Sequence, residues 1–158
     1  MVLGMVIFLL AVPHAAAEEL RYASIKTIQG VVEVRQNEGD WRPGEIGMIL
    51  YPNDEIRTSG NSYAEILLDA GGKTGQLEIK EKTRMRFNTL DENPQTKDKT
   101  TLLDVAIGRV MIHVQKLKGA SRFEVNTPTA TMGVRGTKFE VNVTEKEAIG
   151  KEKKSAGN

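Results

Sequence analysis

The strongest structural signal in the chain is the segment Thr127-Pro-Thr-Ala-Thr-Met-Gly-Val-Arg-Gly-Thr-Lys-Phe-Glu-Val-Asn-Val143. Its last residues alternate between apolar and polar side chains. The apolar positions are Phe139, Val141 and Val143, and the polar ones are Lys138, Glu140 and Asn142. A period of two residues predicts a β-strand with one buried face. We therefore expect this segment to end in a strand that packs against the core.

Two glycines precede that strand. Gly133 and Gly136 lie on either side of Val134-Arg135. Glycine at such positions indicates a positive φ, or two backbones packed closer than a Cβ atom would allow. We therefore expect an extended entry at Thr127-Pro128 and a tight corner at the two glycines.

Most of the remaining chain has the pattern of short strands separated by turns. Ala64, Ile66 and Leu68, for example, alternate with more polar positions. The polar segment Asn88–Thr100 predicts an exposed loop, and Leu102–Ile107 fits either a short helix or a strand. Short strands with turn signals at regular spacing predict a single all-β domain. Two architectures fit this pattern, a β-sandwich or roll and a short β-solenoid-like stack of coils.

The first 17 residues have the features of a secretory signal peptide. They contain no Lys, Arg, Asp or Glu, Val2–Val12 is almost continuously apolar, and Ala15-Ala16-Ala17 offers a cleavage site. The alternative is an uncleaved membrane anchor, although a spanning helix needs about 20 apolar residues and Pro13 interrupts this run. The predicted organisation is a signal peptide at 1–17, an all-β domain at 20–143 and a polar, flexible tail at 144–158.

The composition argues against several classes of function. The chain has 22 Lys and Arg residues against 21 Asp and Glu residues, and this balance indicates no nucleic-acid partner. It has no cysteine, which excludes disulfides and lipoprotein attachment. His113 is the only histidine after the predicted leader, so zinc sites of common composition are also excluded.

We expect no catalytic, cofactor-binding or metal-binding residues. A hydrolase on a β scaffold is the remaining enzymatic alternative, and it would have to use His113 or a pair of carboxylates.

The segment 127–143 resembles the closing signature of the FecR domain, a bacterial envelope module. That signature consists of Thr-Pro, a few residues, Val-Arg-Gly-Thr and a strand that begins with Phe. The matching residues here are Thr127, Pro128, Gly133, Val134, Arg135, Gly136, Thr137 and Phe139. Earlier elements of the family occur in the same order, including Ile107-Gly108-Arg109-Val110. Asn53 stands where the family usually has glycine, and Asn tolerates the left-handed conformation that such a turn needs.

The resemblance implies a non-catalytic periplasmic or secreted module that senses or binds, and that is membrane-anchored if the leader is not cleaved. The partner that it implies is an envelope protein or an envelope polymer, either a polysaccharide or peptidoglycan, with no cofactor. An alternative is the sensor component of an iron-uptake signalling system with a TonB-dependent transporter and sigma and anti-sigma factors. The oligomeric state is open.

Three residues are candidates for contact with a partner. Arg135 could present its guanidinium fork to a carboxylate, or it could pair internally with an acidic side chain and pin the glycine corner. We favour the structural role. Trp41 and Tyr63 could form an aromatic ligand platform, although we expect Trp41 in the core or at its edge.

Overall fold

Alternating apolar and polar residues form twelve β-strands in residues 20–149, the part of the chain that the computed structural model describes. The strands are β1 (Ala23–Gln29), β2 (Val32–Arg35), β3 (Trp41–Pro43), β4 (Ile49–Leu50), β5 (Glu55–Thr58), β6 (Tyr63–Leu68), β7 (Gly75–Ile79), β8 (Arg84–Glu92), β9 (Lys99–Val114), β10 (Arg122–Asn126), β11 (Thr131–Val134) and β12 (Lys138–Val143). A 3₁₀ turn covers Ala70–Gly72, and residues 145–149 form a helical turn. The predicted leader at 1–17 lies outside the described residues.

The strands form a curled sheet in the shape of a half-barrel. The order along the sheet is β3-β2-β5-β8-β9-β7-β6-β1-β4, while β10 and β12 also pair with β9, and β11 pairs with β10. Among the described strands, only β9 and β10 pair in parallel. The predicted single all-β domain is confirmed. The antiparallel pairing corresponds to the roll that the sequence allowed, rather than to stacked solenoid coils.

One face of the curled sheet carries the apolar core. Alternation along each strand brings every second side chain to this face, and Ala64, Ile66 and Leu68 of β6 have no exposed surface there. The largest fully buried side chains are Phe87, Phe123, Ile25, Leu50, Ile56, Ile66, Leu68, Leu77, Ile79, Met85, Leu103 and Ile112. Removal of such apolar surface from water, at about 25 cal/mol per Å², is the main force that holds the sheet in its curled shape.

Strand β9 connects the two halves of the sheet and bends at Gly108. Its first half pairs with β8 and β10, and its second half pairs with β7 and β12. Gly108 has a φ of +97°. A Cβ atom at this position would lie 2.4 Å from the Cα atom of Thr83 and 2.3 Å from its Oγ1 atom. The Thr83 hydroxyl also accepts a hydrogen bond of 2.9 Å from the N–H of Arg109. Only glycine lets β9 bend this closely against the turn that joins β7 to β8.

The polar segment Asn88–Thr100 is not one exposed loop, and this prediction was wrong for most of its length. Strand β8 continues to Glu92 and β9 begins at Lys99, so only the residues between them form a turn. The physical reason is Leu90, which is 4% exposed and keeps the apolar alternation of β8 running through polar neighbours. Leu102–Ile107, which fitted either a helix or a strand, lies within β9.

A capped helical turn follows the last strand. The N–H and the hydroxyl of Thr144 each donate a hydrogen bond of 2.8 Å to Glu147 Oε2. The N–H of Ala148 donates to the carbonyl oxygen of Thr144 at 3.2 Å. A threonine followed three residues later by glutamate is the capping-box pattern that begins helices. Residues 145–149 are therefore helical within the segment that we predicted as a polar tail, and residues 150–158 lie outside the described residues.

The Gly108→Ala substitution is expected to destabilise the domain strongly. A side chain there must adopt a left-handed backbone, at about 1–2 kcal/mol, and must displace the backbone of Thr83, at about 1–3 kcal/mol. Urea denaturation should therefore show a loss of roughly 2–5 kcal/mol in the free energy of unfolding.

Gly133→Ala is the matched control, because Gly133 lies in a strand without a positive φ, and a Cβ atom added there would have no neighbour within 4 Å. Its free energy of unfolding should change by about 0.5 kcal/mol or less. Equal losses in the two variants would contradict the role assigned to Gly108.

Candidate partner-binding surface

The first half of the segment 127–143 forms the turn and the second strand of a β-hairpin. Strands β10 and β11 pair antiparallel, with Val125 opposite Met132. Between them, Thr127 donates its N–H to the carbonyl oxygen of Ala130 at 2.8 Å, and its Oγ1 accepts the N–H of Ala130 at 3.0 Å. Thr127-Pro128 is therefore the start of a tight turn and not the extended entry that we predicted. Pro128 suits the second position of a turn because its ring presets φ.

The corner between β11 and β12 depends on one of the two predicted glycines. Gly136 has a φ of +79°, and a Cβ atom there would lie 2.8 Å from the Cα atom of Lys116. Gly133 has neither a positive φ nor a close neighbour, so the expectation for this glycine was wrong. It lies in β11, on the face opposite to the core, where the strand can accept residues other than glycine.

Arg135 projects from this corner into solvent. Its Nη2 atom donates a hydrogen bond of 3.2 Å to the carbonyl oxygen of Gly119. No salt bridge within residues 20–149 involves Arg135, and the bond that holds it at the corner goes to a backbone carbonyl and not to the carboxylate that we predicted. The physical reason is that a backbone carbonyl lies within reach of the guanidinium. A single carbonyl bond leaves most of its five N–H donors for other acceptors.

The residues of the segment 131–139 divide between an inner and an outer face. Met132, Val134 and Phe139 pack against the core. Thr131, Gly133, Arg135 and Thr137 are exposed. Strand β11 pairs with β10 on one edge, and no strand within the described part of the chain pairs with its other edge. The outer signature residues therefore lie on the surface, beside an open strand edge.

A groove of about 840 Å³ lies beside the hairpin turn. Thr127 and Pro128 form one side of it, and the helical turn forms another side through Ala148 and Ile149. Arg84 also lines the groove, is exposed, and forms no salt bridge within residues 20–149. Sequence reasoning missed Arg84 because it looks like any polar residue of an alternating strand. Its position at the groove depends on the register between β8 and β9.

A polar row crosses seven strands on the outer face of the sheet. Each residue stands directly opposite the next in the strand register, in the order Trp41, Arg35, Glu55, Arg86, Asp104, Asn126 and Thr131. Glu55 accepts hydrogen bonds of 2.7 Å from both Arg35 and Arg86. Burial raises the pKa of the Glu55 carboxyl, but hydrogen bonds from Arg86 and Arg35 outweigh this effect and lower the pKa below its ordinary value.

Trp41 and Tyr63 do not form a joint aromatic platform. Trp41 lies on β3 at one end of the sheet order, and Tyr63 lies on β6 near the other end. The guanidinium carbon of Arg57 is 4.2 Å from the centroid of the Trp41 ring, and that of Arg35 is 5.1 Å from it. Trp41 is thus half-buried under two arginines on the outer face, rather than in the apolar core.

The remaining candidates from the sequence are dispersed. His113 is exposed on β9, opposite Lys138 of β12. Within residues 20–149 there is no group of three or more His, Cys, Asp or Glu side chains that could hold a metal ion. No helix in that range is long and apolar enough to cross a membrane.

Comparison with protein families identifies the chain. The family model described as FecR protein matches residues 54–150, which is more than half of the sequence. The chain belongs to the FecR family. The search of curated proteins found no match, and neither did the search of solved structures. The FecR family is a signalling and regulatory family, is involved in iron-uptake signalling in general and is not known as enzymatic.

The FecR match begins after Trp41 and Arg35 and includes the hairpin, the glycine corner and the groove residues up to Ile149. It therefore covers both the inner and the outer parts of the signature.

One further polar cluster, which sequence reasoning did not find, joins the matched region to the residues before β1. Asp69 and Arg21 are its central residues.

Asp69 and Arg21 form a buried ion pair in this FecR domain. Arg21 Nε donates to Asp69 Oδ1 at 2.8 Å, and the two side chains are 5% and 10% exposed, respectively. Lys99 Nζ lies 2.7 Å from Asp69 Oδ2. Arg21 Nη1 also donates to the carbonyl oxygens of Asp91 and Thr100 at 2.9 Å. The cluster therefore fastens Arg21, two residues before β1, to β8, to β9 and to the end of β6.

Asp69 also has an unusual backbone conformation, with φ 63° and ψ 173°. This region is occupied almost only by glycine, and other residues remain there when their surroundings hold them. Burial raises the pKa of Asp69, but hydrogen bonds from Arg21, Lys99 and Thr74 outweigh burial and lower it. The ionised carboxylate is therefore the form that stabilises the fold.

The Asp69→Asn substitution is expected to cost about 3 kcal/mol in the free energy of unfolding at neutral pH, because it leaves Arg21 buried without its carboxylate. The pKa of Asp69 is lower in the folded than in the unfolded state, so the folded state binds fewer protons. Its stabilisation is complete above the unfolded pKa of about 4 and is lost as the pH falls through the folded pKa.

Urea unfolding between neutral and acidic pH checks this prediction. The stability difference between wild type and Asp69→Asn should shrink as the pH falls below about 4. Asp40→Asn, at an exposed position, is the control and should follow the wild type throughout. A constant difference between wild type and Asp69→Asn at every pH would contradict the assignment to the ionised carboxylate.

Proposed function

We propose that this chain is a non-catalytic binding and sensing module of the bacterial cell envelope, periplasmic or secreted, which docks a protein partner in iron-uptake signalling. The observation that carries the proposal is that Thr131, Gly133 and Arg135 are exposed beside the open edge of β11. Family membership supports the signalling context.

The chemistry of this surface suits a protein partner. An unpaired strand edge offers backbone donors and acceptors that an extended segment of a partner can pair with. Arg135 contributes an exposed guanidinium with one backbone contact, and arginine is enriched among the residues that dominate protein interfaces. An acidic or carbonyl-rich partner segment along β11 would meet both features.

An envelope polysaccharide or peptidoglycan partner is less well supported. Recognition of a sugar ring commonly uses an open aromatic face, and Trp41 is the only tryptophan in the chain. Its ring is already stacked by the guanidinium groups of Arg35 and Arg57. Tyr63 has the Lys80 ammonium 5.0 Å from its ring centroid. Both aromatic rings thus have intramolecular cationic partners.

Arg135→Ala should weaken partner binding with little effect on folding, because Arg135 is exposed and makes one hydrogen bond. Truncation of a central interface arginine costs about 2 kcal/mol, which corresponds to roughly thirtyfold weaker binding. The purified protein, immobilised and exposed to envelope extract, checks this. Capture of a specific protein by wild type should be lost with Arg135→Ala and kept with Arg109→Ala, an exposed arginine on β9.

Pretreatment of the extract separates the two kinds of partner. Protease should abolish capture if the partner is a protein, and a peptidoglycan hydrolase should abolish it if the partner is the cell-wall polymer. In cells, replacement of the wild-type gene by the Arg135→Ala variant should lower transporter-gene expression under iron limitation. Unchanged expression, together with retained capture, would overturn the proposal.

A further inference from the structure

Strand β12 has one paired and one open edge. It pairs antiparallel with β9 over its whole length, from Lys138 opposite His113 to Val143 opposite Gly108. Within residues 20–149 no strand pairs with its other edge. An open edge of six residues is a template for another strand.

The hydrogen-bond pattern shows which residues face that open edge. The N–H of Val114 donates to the carbonyl oxygen of Thr137 at 2.9 Å, so these two residues form a hydrogen-bonded antiparallel pair. Hydrogen-bonded and non-hydrogen-bonded pairs alternate along an antiparallel ladder. Phe139, Val141 and Val143 therefore direct their backbone groups to β9. The backbone groups of Lys138, Glu140 and Asn142 point to the open edge.

We propose that this edge binds a second copy of the chain, with the two β12 strands antiparallel about a two-fold axis at Phe139. In this register Lys138 stands opposite Glu140 of the partner subunit, and Glu140 stands opposite Lys138 of the partner subunit. Both pairs are hydrogen-bonded pairs, as the outward backbone groups require. The interface is isologous, with the same surface on both copies.

The charges on β12 favour this register over the alternatives. The backbone groups at the open edge belong to even-numbered residues, so an even-numbered residue of one copy must stand opposite an even-numbered residue of the other. Neighbouring registers therefore differ by a shift of the two-fold axis by one residue. An axis at Glu140 places two glutamates opposite each other, and an axis at Lys138 places two lysines opposite each other. Directly opposed like charges destabilise a strand pair, whereas opposite charges stabilise it. An axis at Val141 places Glu140 opposite Asn142 and Lys138 opposite Thr144, without attraction between charges, whereas the axis at Phe139 pairs each charge with its opposite.

The side chains are positioned for this pairing. Lys138 and Glu140 are exposed and lie on the outer face of the sheet, and neither forms a salt bridge within the described part of the chain. Phe139 points to the other face and packs against the core. It would meet Phe139 of the partner subunit in a non-hydrogen-bonded pair, the type in which side chains approach most closely. The charges of Lys138 and Glu140 thus disfavour pairing of β12 with an apolar strand, but they match the opposite charges on β12 of a second copy.

This inference is independent of the proposed function, which uses the β11 edge and Arg135. The experiment measures self-association of the purified protein by sedimentation velocity over a wide range of concentration. Wild type should form a dimer. The Lys138→Glu and Glu140→Lys variants should each dimerise at least about tenfold more weakly, because each places like charges in both cross-strand pairs. The double variant, with both substitutions in one chain, should dimerise like wild type.

A mixture of the two single variants gives the sharpest outcome. Each charge on the β12 edge of one variant then faces an opposite charge on the other variant. The mixture should therefore form a heterodimer more readily than either variant alone forms a homodimer. Lys73→Glu, an equal change of charge at an exposed position away from β12, is the control and should dimerise like wild type. A monomeric wild type, a dimer insensitive to either substitution, or a mixture that stays monomeric would overturn the proposal.

Discussion

The close contact between Gly108 and Thr83 is the constraint on which the rest of the structure depends. Among the described strands, β9 is the one that pairs with members of both halves of the sheet, and it can do so because it bends at Gly108. The missing Cβ atom lets the β7–β8 turn approach to a distance that no other residue permits. The bend brings β10 and β12 to the same side of β9, one in parallel and one antiparallel.

This arrangement explains why the FecR signature has both structural and exposed parts. The hairpin attaches to the first half of β9, and β12 attaches to the second half, so the chain between them must turn sharply at Gly136. The apolar signature residues continue the core, while Arg135 projects from the corner. The same segment therefore completes the fold and presents two strand edges that no strand within residues 20–149 pairs with. Charges along β12 and the exposed guanidinium of Arg135 beside β11 make these edges chemically different, so they suit different partners.

The alternation of apolar and polar residues predicted a large part of the fold correctly. The prediction failed where contacts between distant residues override the local sequence pattern. The buried faces of β6 and β12 follow from residues two apart, because a strand turns every second side chain to the same side. The segment after Asn88 misled the prediction, since its composition is that of a loop while one leucine keeps it in the sheet. Gly133 and Gly136 look equivalent in the sequence, but only Gly136 lies against another backbone segment.

The amino-acid sequence by itself determined the all-β class, the strand at 138–143 and membership of the FecR family, because alternation and motif order are local properties of the chain. Only the tertiary structure decided which residues meet. The Arg21–Asp69 ion pair joins residues 48 positions apart, and the polar row joins seven strands through their register. Arg84 reaches the groove beside Pro128 for the same reason. Such contacts depend on strand order and register, which a packed core sets and which no local pattern encodes.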